Sequence, residues 1–98
     1  KVRIDDQLRK YIAQIVQLTR THPDLYLGAS PRASLAIMNT SKAVAAMSGR
    51  EFVTPDDVQN VLLPVLNHRL TLTPEREMEG ITLAEVLKDI IEKTEAPR

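Results

Sequence analysis

The sequence predicts an all-α fold: a small four-helix bundle, with room for at most a minimal two-stranded β piece. Three observations carry that expectation. Apolar residues recur at three- and four-residue spacing in four separate segments. Each segment opens on a capping residue (Asp5, Ser30, Thr54 or Thr82), and Ser30 and Thr54 are followed directly by Pro. The connections between segments are short, and 98 residues suit one core, so residues 1–98 read as a single domain. Its expected radius of gyration is about 12–13 Å.

Val2-Arg3-Ile4 is a short extended entry. Asp5 caps helix 1, expected over 5–21, with Leu8, Tyr11, Ile12, Ile15, Val16 and Leu18 on its apolar stripe. Arg20 suits the negative end of the helix dipole, and Pro23 forces His22 out of helical geometry. Residues 23–30 form a loop in which Leu25 to Leu27 can make a very short strand. Ser30-Pro31 starts helix 2, expected over 31–48, with Ser30 accepting a bond from a free backbone N–H. Ten apolar residues spread around this helix predict a central element touched on several sides, and Gly49 stops it.

Thr54-Pro55-Asp56-Asp57 starts helix 3 with a capping box in which Asp57 replaces the longer Glu. Phe52 or Val53 can staple onto Val58, and Val58, Val61, Leu62 and Val65 form the buried stripe. Pro64 predicts a kink or break near 63–64. Residues 68–72 alternate with period two and can pair with 25–27. A single helical turn ends at Gly80, and Thr82 with Glu85 forms a second capping box for helix 4, expected over 82–94.

Composition excludes several function classes. Thirteen Lys plus Arg balance thirteen Asp plus Glu, which disfavours nucleic-acid binding through phosphate contacts. With no Cys, thiol catalysis, disulfide scaffolds and zinc-thiolate sites are excluded, and two His (22 and 68) are too few for a His-rich metal site, so no metal ligands are assigned. No apolar run is long enough for a membrane span, and no signal peptide is visible, so a cytoplasmic location is expected. Gly28, Gly49 and Gly80 are isolated and placed as turns or helix stops, so no phosphate-cradling loop is present and the chain is not a complete nucleotide hydrolase. His68 beside Arg69 reads as a polar helix end in preference to a catalytic base.

The informative segment is Gly28-Ala29-Ser30-Pro31-Arg32-Ala33. A cation in the first turn opposes the helix dipole, a cost of a few tenths of a kcal/mol. Arg32 with free backbone N–H groups can attract phosphate or carboxylate, or Arg32 can be a solvated cation at no special site. Local energetics alone leave both readings open.

Leu27-Gly28-Ala29-Ser30-Pro31-Arg32-Ala33 resembles the sensor-2 motif in the small helical lid domain of MoxR-type AAA+ ATPases. The resemblance covers nearly the whole chain: Tyr11-Ile12 with Thr19-Arg20, Ser48-Gly49-Arg50, Val53-Thr54-Pro55-Asp56-Asp57-Val58, and Val65-Leu66-Asn67-His68-Arg69-Leu70 each fit in order. It implies that Arg32 acts catalytically by reaching the γ-phosphate of ATP, once a P-loop domain is present. It also implies that Tyr11 and Ile12 line the adenine pocket, although for both a core role is the default. Arg20 and Arg50 meet nucleotide or a neighbouring subunit, or serve as helix-end caps and surface ion pairs. The implied parent carries a P-loop domain upstream, uses ATP and Mg2+, and forms a homo-oligomeric ring, often beside a von Willebrand factor A domain protein. This domain alone would bind no cofactor and have no activity. A free-standing, histone-like interaction module is the alternative, because such folds also use a long helix and a Thr-Pro-Asp-Asp-type start. A third reading, an independent small enzyme, lacks a residue set.

Overall fold

The computed structural model describes residues 2–97. Its elements are α1 (Asp6–Thr21), β1 (Leu25–Leu27), α2 (Pro31–Met47), α3 (Pro55–Leu66), β2 (Thr71–Leu72), α4 (Pro74–Met78) and α5 (Leu83–Lys93). Five helices exceed the expected four by α4, the short turn before Gly80, which buries no side chain. The other four build the bundle. It is elongated, 44 × 21 × 21 Å, and its 13.5 Å radius of gyration slightly exceeds that of a sphere-like globule of this length.

The helix ends follow capping chemistry, with two exceptions. Asp5 Oδ1 accepts the Leu8 N–H at 2.9 Å. At α3, Thr54 Oγ1 accepts the Asp57 N–H at 3.3 Å and Asp57 Oδ2 accepts the Thr54 N–H at 2.9 Å, so Asp completes the box despite its shorter reach. At α2 the Gly49 N–H reaches Ala46 O and the Arg50 N–H reaches Ala45 O, with Gly49 left-handed at φ 76°. The first exception is Ser30: its side chain makes no cap bond, contrary to expectation. The second is Thr82, which accepts the Glu85 N–H at 3.3 Å while exposed Glu85 makes no return bond among the described residues. Of the kink or break expected near 63–64, no break occurs: α3 runs unbroken through Pro64. Pro64 sits exposed in the last turn of α3, where its missing N–H removes one bond while Asn67 N–H still reaches Leu63 O at 2.9 Å.

α1 buries Leu8, Tyr11, Ile12, Ile15, Val16 and Thr19, and packs on α2 and α5. α3 contributes Val58, Val61, Leu62 and Leu66 and packs on the same two helices. α5 closes the core with Val86, Leu87 and Ile90. α2 packs on both α1 and α3, in line with the expectation of a helix touched on several sides, but its full burial is narrower than ten apolar residues suggest. Only Ala33, Ile37, Ser41 and Ala45, a single stripe at four-residue spacing, are buried. Leu35 is 57% exposed and Met47 87%, because the remaining apolar positions fall off that stripe.

β1 pairs antiparallel with β2, Leu25 opposite Leu72 and Leu27 opposite Thr71, with an irregularity between the two pairs. This is the expected piece in a shorter form. The extended entry also finds a partner: Arg3 N–H donates to Glu51 O at 2.8 Å and Val53 N–H to Arg3 O at 2.9 Å. Val53 joins the core with Val58 while Phe52 is 57% exposed, so Val53 is the staple residue. No helix among the described residues is long and apolar enough to cross a membrane.

Candidate functional site

The site is assembled where the end of α1 meets the start of α2. The last turns of α1 carry Thr19 and Arg20, and the chain returns past them through Gly28 and Ala29 after the β1 strand. Thr19 is buried; its hydroxyl donates to Val16 O at 2.6 Å and accepts the Ala29 N–H at 3.0 Å. Arg20 Nε donates to Ala29 O at 3.0 Å. Consecutive side chains of α1 therefore satisfy both backbone polar groups of Ala29.

Gly28 makes this approach possible. A Cβ there would lie 2.6 Å from Arg20 Cα and 2.7 Å from Thr19 O, both backbone atoms. Its glycine requirement is close approach of two backbones, not the turn or helix stop expected for it. Ala29 and Ala33 are buried beneath the segment, and small side chains there keep the start of α2 against the bundle.

Pro31 and Arg32 then occupy the first two helical positions. Ser30 O accepts the Ala33 N–H at 2.9 Å, which tightens the entry, while the Ser30 hydroxyl is left out of the cap. Arg32 is exposed, and no ion pair or side-chain hydrogen bond holds its guanidinium among the described residues. A permanently charged planar donor fork thus stands at the positive end of a helix, with no carboxylate within ion-pair distance among the described residues.

The other expected site residues divide clearly. Tyr11 and Ile12 are each 1% exposed in the core. The Tyr11 hydroxyl accepts a bond from Gln59 Nε2 at 3.0 Å. Tyr11 also lines the floor of a shallow cavity of about 290 Å³ walled by Gln7, Lys10, Gln14 and the 95–97 segment, whereas Ile12 does not reach it. Arg50 is committed within the fold: it forms a two-pronged ion pair with Asp57, at 2.6 and 2.7 Å. That bond, followed in weight by the Thr54 bonds, holds the Asp57 carboxyl down at about 2 against the cost of burial, and the same pairing pushes Arg50 further up. His68 is exposed in the turn after α3.

His22 has a structural part. The Asp24 N–H donates to His22 Nδ1 at 3.1 Å, so neutral His22 carries its proton on Nε2 and donates it to Asp89 Oδ2 at 2.8 Å. That bond, with Lys93 at 3.0 Å, holds the Asp89 carboxyl below its ordinary value and ties the chain leaving α1 to α5. No group of three His, Cys, Asp or Glu converges on a metal position among the described residues.

Sequence reasoning missed the part Thr19 plays and the reason for Gly28. Thr19 lies four residues after Ile15 on the buried stripe, and a hydroxyl there signals a backbone partner from another element.

A family model described as an AAA lid domain matches residues 17–90. The chain is similar to YeaC of Bacillus subtilis, an uncharacterised protein, with 42% identity over 98% of this chain and 30% of YeaC. It is 33% identical to the chaperone MoxR1 of Mycobacterium tuberculosis, over 90% of this chain and 26% of MoxR1. Among solved structures, a provisionally assigned ATPase from Cytophaga hutchinsonii superposes with a TM-score of 0.92 at 33% identity, covering 100% of this chain and 32% of that one. The chain thus spans about a third or less of the length of these relatives.

Proposed function

The chain belongs to the AAA lid domain family, and from that premise we propose that it serves a MoxR-type AAA+ ATPase by presenting Arg32 to the terminal phosphate of ATP. The carrying observation is the exposed Arg32 guanidinium, unpaired among the described residues, on a helix start held against the bundle. The residues fit one arm of a nucleotide site. Arg32 offers paired N–H donors to phosphate oxygens, and only small side chains, Ala29 and Ala33, flank it on the buried side. Gly28, Gly49 and Gly80 are each committed to packing or helix ends, so a P-loop domain of the same or a neighbouring subunit must provide the rest. Mg2+ would be held there too.

ATP supplies a terminal phosphate charge that is gained on binding and lost on hydrolysis. Arg32 offsets that charge as it develops. Because the α2 entry is held by α1, the pull on Arg32 acts on the bundle and turns it as a body. In this reading the intact parent is a cytoplasmic, chaperone-like ring ATPase, with a von Willebrand factor A domain protein as a candidate partner, and the lid alone is inactive. Tyr11, on the floor of its cavity, is the better placed of the two adenine candidates, and Ile12 acts through the core.

The test is Arg32→Ala in the intact ATPase. Hydrolysis should fall at least about tenfold, the scale of one lost phosphate contact, while the melting of the lid stays nearly unchanged because exposed Arg32 makes no ion pair or side-chain hydrogen bond among the described residues. Undiminished hydrolysis refutes the proposal.

A further inference from the structure

We propose that Thr19 and Arg20 are positioning residues for Arg32: by holding both polar groups of Ala29, they fix the entry of α2 and the direction in which its guanidinium is presented. The functional consequence rests on the role proposed above for Arg32; the structural grip does not.

Three observations converge on Ala29. Its N–H goes to the buried Thr19 hydroxyl at 3.0 Å and its C=O to Arg20 Nε at 3.0 Å. The preceding residue, Gly28, is in backbone-to-backbone contact with the same two residues. The helix that follows lacks the usual local anchor, since Ser30 contributes no side-chain bond to the first turn. An N-cap side chain normally fixes where a helix starts. Here that task passes to α1, which grips Ala29, three residues upstream of Arg32.

The mechanical consequence follows. A loop with free backbone groups would absorb a pull on Arg32 by local rearrangement. A peptide gripped from both sides passes it to α1, whose Leu8, Ile12 and Ile15 lie in the core. Thr19 Oγ1 is itself fixed by its bond to Val16 O, so the grip is seated in the helix rather than in a mobile side chain. Arg20 spends Nε on Ala29, and its side chain remains exposed, so it can be changed without opening the core.

Two variants separate the grip from simple loss of stability. Thr19→Val keeps the buried shape and removes the hydroxyl; Arg20→Met removes the donor at an exposed site. Amide hydrogen exchange on this chain reads the grip directly. In both variants the amides of Ala29 and of the first turn of α2 should exchange about tenfold faster, the scale of one lost hydrogen bond, with the interiors of α2 and α3 unchanged. Thr19→Ser should restore protection. Unaltered exchange at the start of α2, or uniform acceleration throughout, overturns the proposal whatever the ATPase does.

The second arm uses the intact ATPase. Thr19→Val should lower kcat several-fold more than it changes KM, and should have no further effect in an Arg32→Ala background. An equal loss in both backgrounds means that Thr19 does not act through Arg32, and overturns the inference. If Arg32→Ala alone leaves hydrolysis intact, the functional reading fails and the exchange experiment decides the grip by itself.

Discussion

Arg50 meets Asp57 fork to fork, Nη1 lying 2.6 Å from Oδ2 and Nη2 2.7 Å from Oδ1. The carboxylate side chain is only 4% exposed, and its Oδ2 also takes the Thr54 N–H that opens α3. One acid therefore satisfies a helix cap and the cation just past the end of α2, and so fixes the α2–α3 corner.

The pair makes stability depend on acid. Asp57 titrates at about 2 in the fold against an ordinary 3.8, so the folded state holds the deprotonated form more strongly than the unfolded chain does. That stabilisation, on the order of 2 kcal/mol, is fully present above the unfolded value and is lost as pH falls through about 2. Denaturant unfolding between pH 6 and 2 should show this loss, and Arg50→Met should flatten it, because the arginine bond is the largest cause of the depression. At neutral pH Asp57→Ala should cost about 3 kcal/mol, the bottom of the range for a broken buried pair because Arg50 can regain water.

Ser41 should be improved by losing its hydroxyl. It is fully buried on the core stripe of α2, and Oγ has no partner among the described residues. Ser41→Ala removes an unsatisfied polar atom, keeps the small volume that lets α2 lie close to α3, and raises helix propensity. The expected gain is about 1 kcal/mol, read as a melting temperature higher by about 4–8 °C. A lower melting temperature would mean that the hydroxyl is bonded in solution.

Local chemistry was legible in the sequence at most helix ends whose partner lies within a few residues, the Glu85 return bond at Thr82 being one that failed. Asp5, Thr54 with Asp57, and Gly49 declare helix ends because each acts on backbone three to five positions away. The pairing of 25–27 with 71–72 was legible for a different reason: two short alternating segments had no other strand to join. Relationships across the bundle were not legible. Ser30 has every feature of a cap and leaves its side chain unused, while α1 holds the adjoining peptide. Gly28 looks like any loop glycine until the backbone of Arg20 is set beside it. The narrow burial of α2 was hidden because its composition is apolar on several faces, while only the line through Ala33, Ile37, Ser41 and Ala45 is fully buried and Met38 and Val44 flank it half-buried. For the site, Arg32 was proposed from a resemblance over seven consecutive residues; the bonds that hold the start of α2 came only with the fold.

Gly28 and Gly49 should respond to alanine in different ways, and the difference tests the close approach. Gly49 has φ 76° and nothing within 4 Å of an added Cβ, so Gly49→Ala carries only the strain of a left-handed residue, about 1–2 kcal/mol. At Gly28 an added methyl would stand 2.6 Å from Arg20 Cα and 2.8 Å from Arg20 N, atoms held inside α1 that cannot swing away as the end of a side chain would. Relief requires the 28–29 segment to lift, which lengthens both bonds to Ala29 at once. Gly28→Ala should therefore cost about 2–3 kcal/mol, near the top of the range for an overpacked site, and should speed amide exchange at Ala29 and in the first turn of α2. Gly49→Ala should leave those amides unchanged. Equal destabilisation by the two variants, with no local change in exchange at Ala29, would show that the segment does not lie against α1 as closely as described.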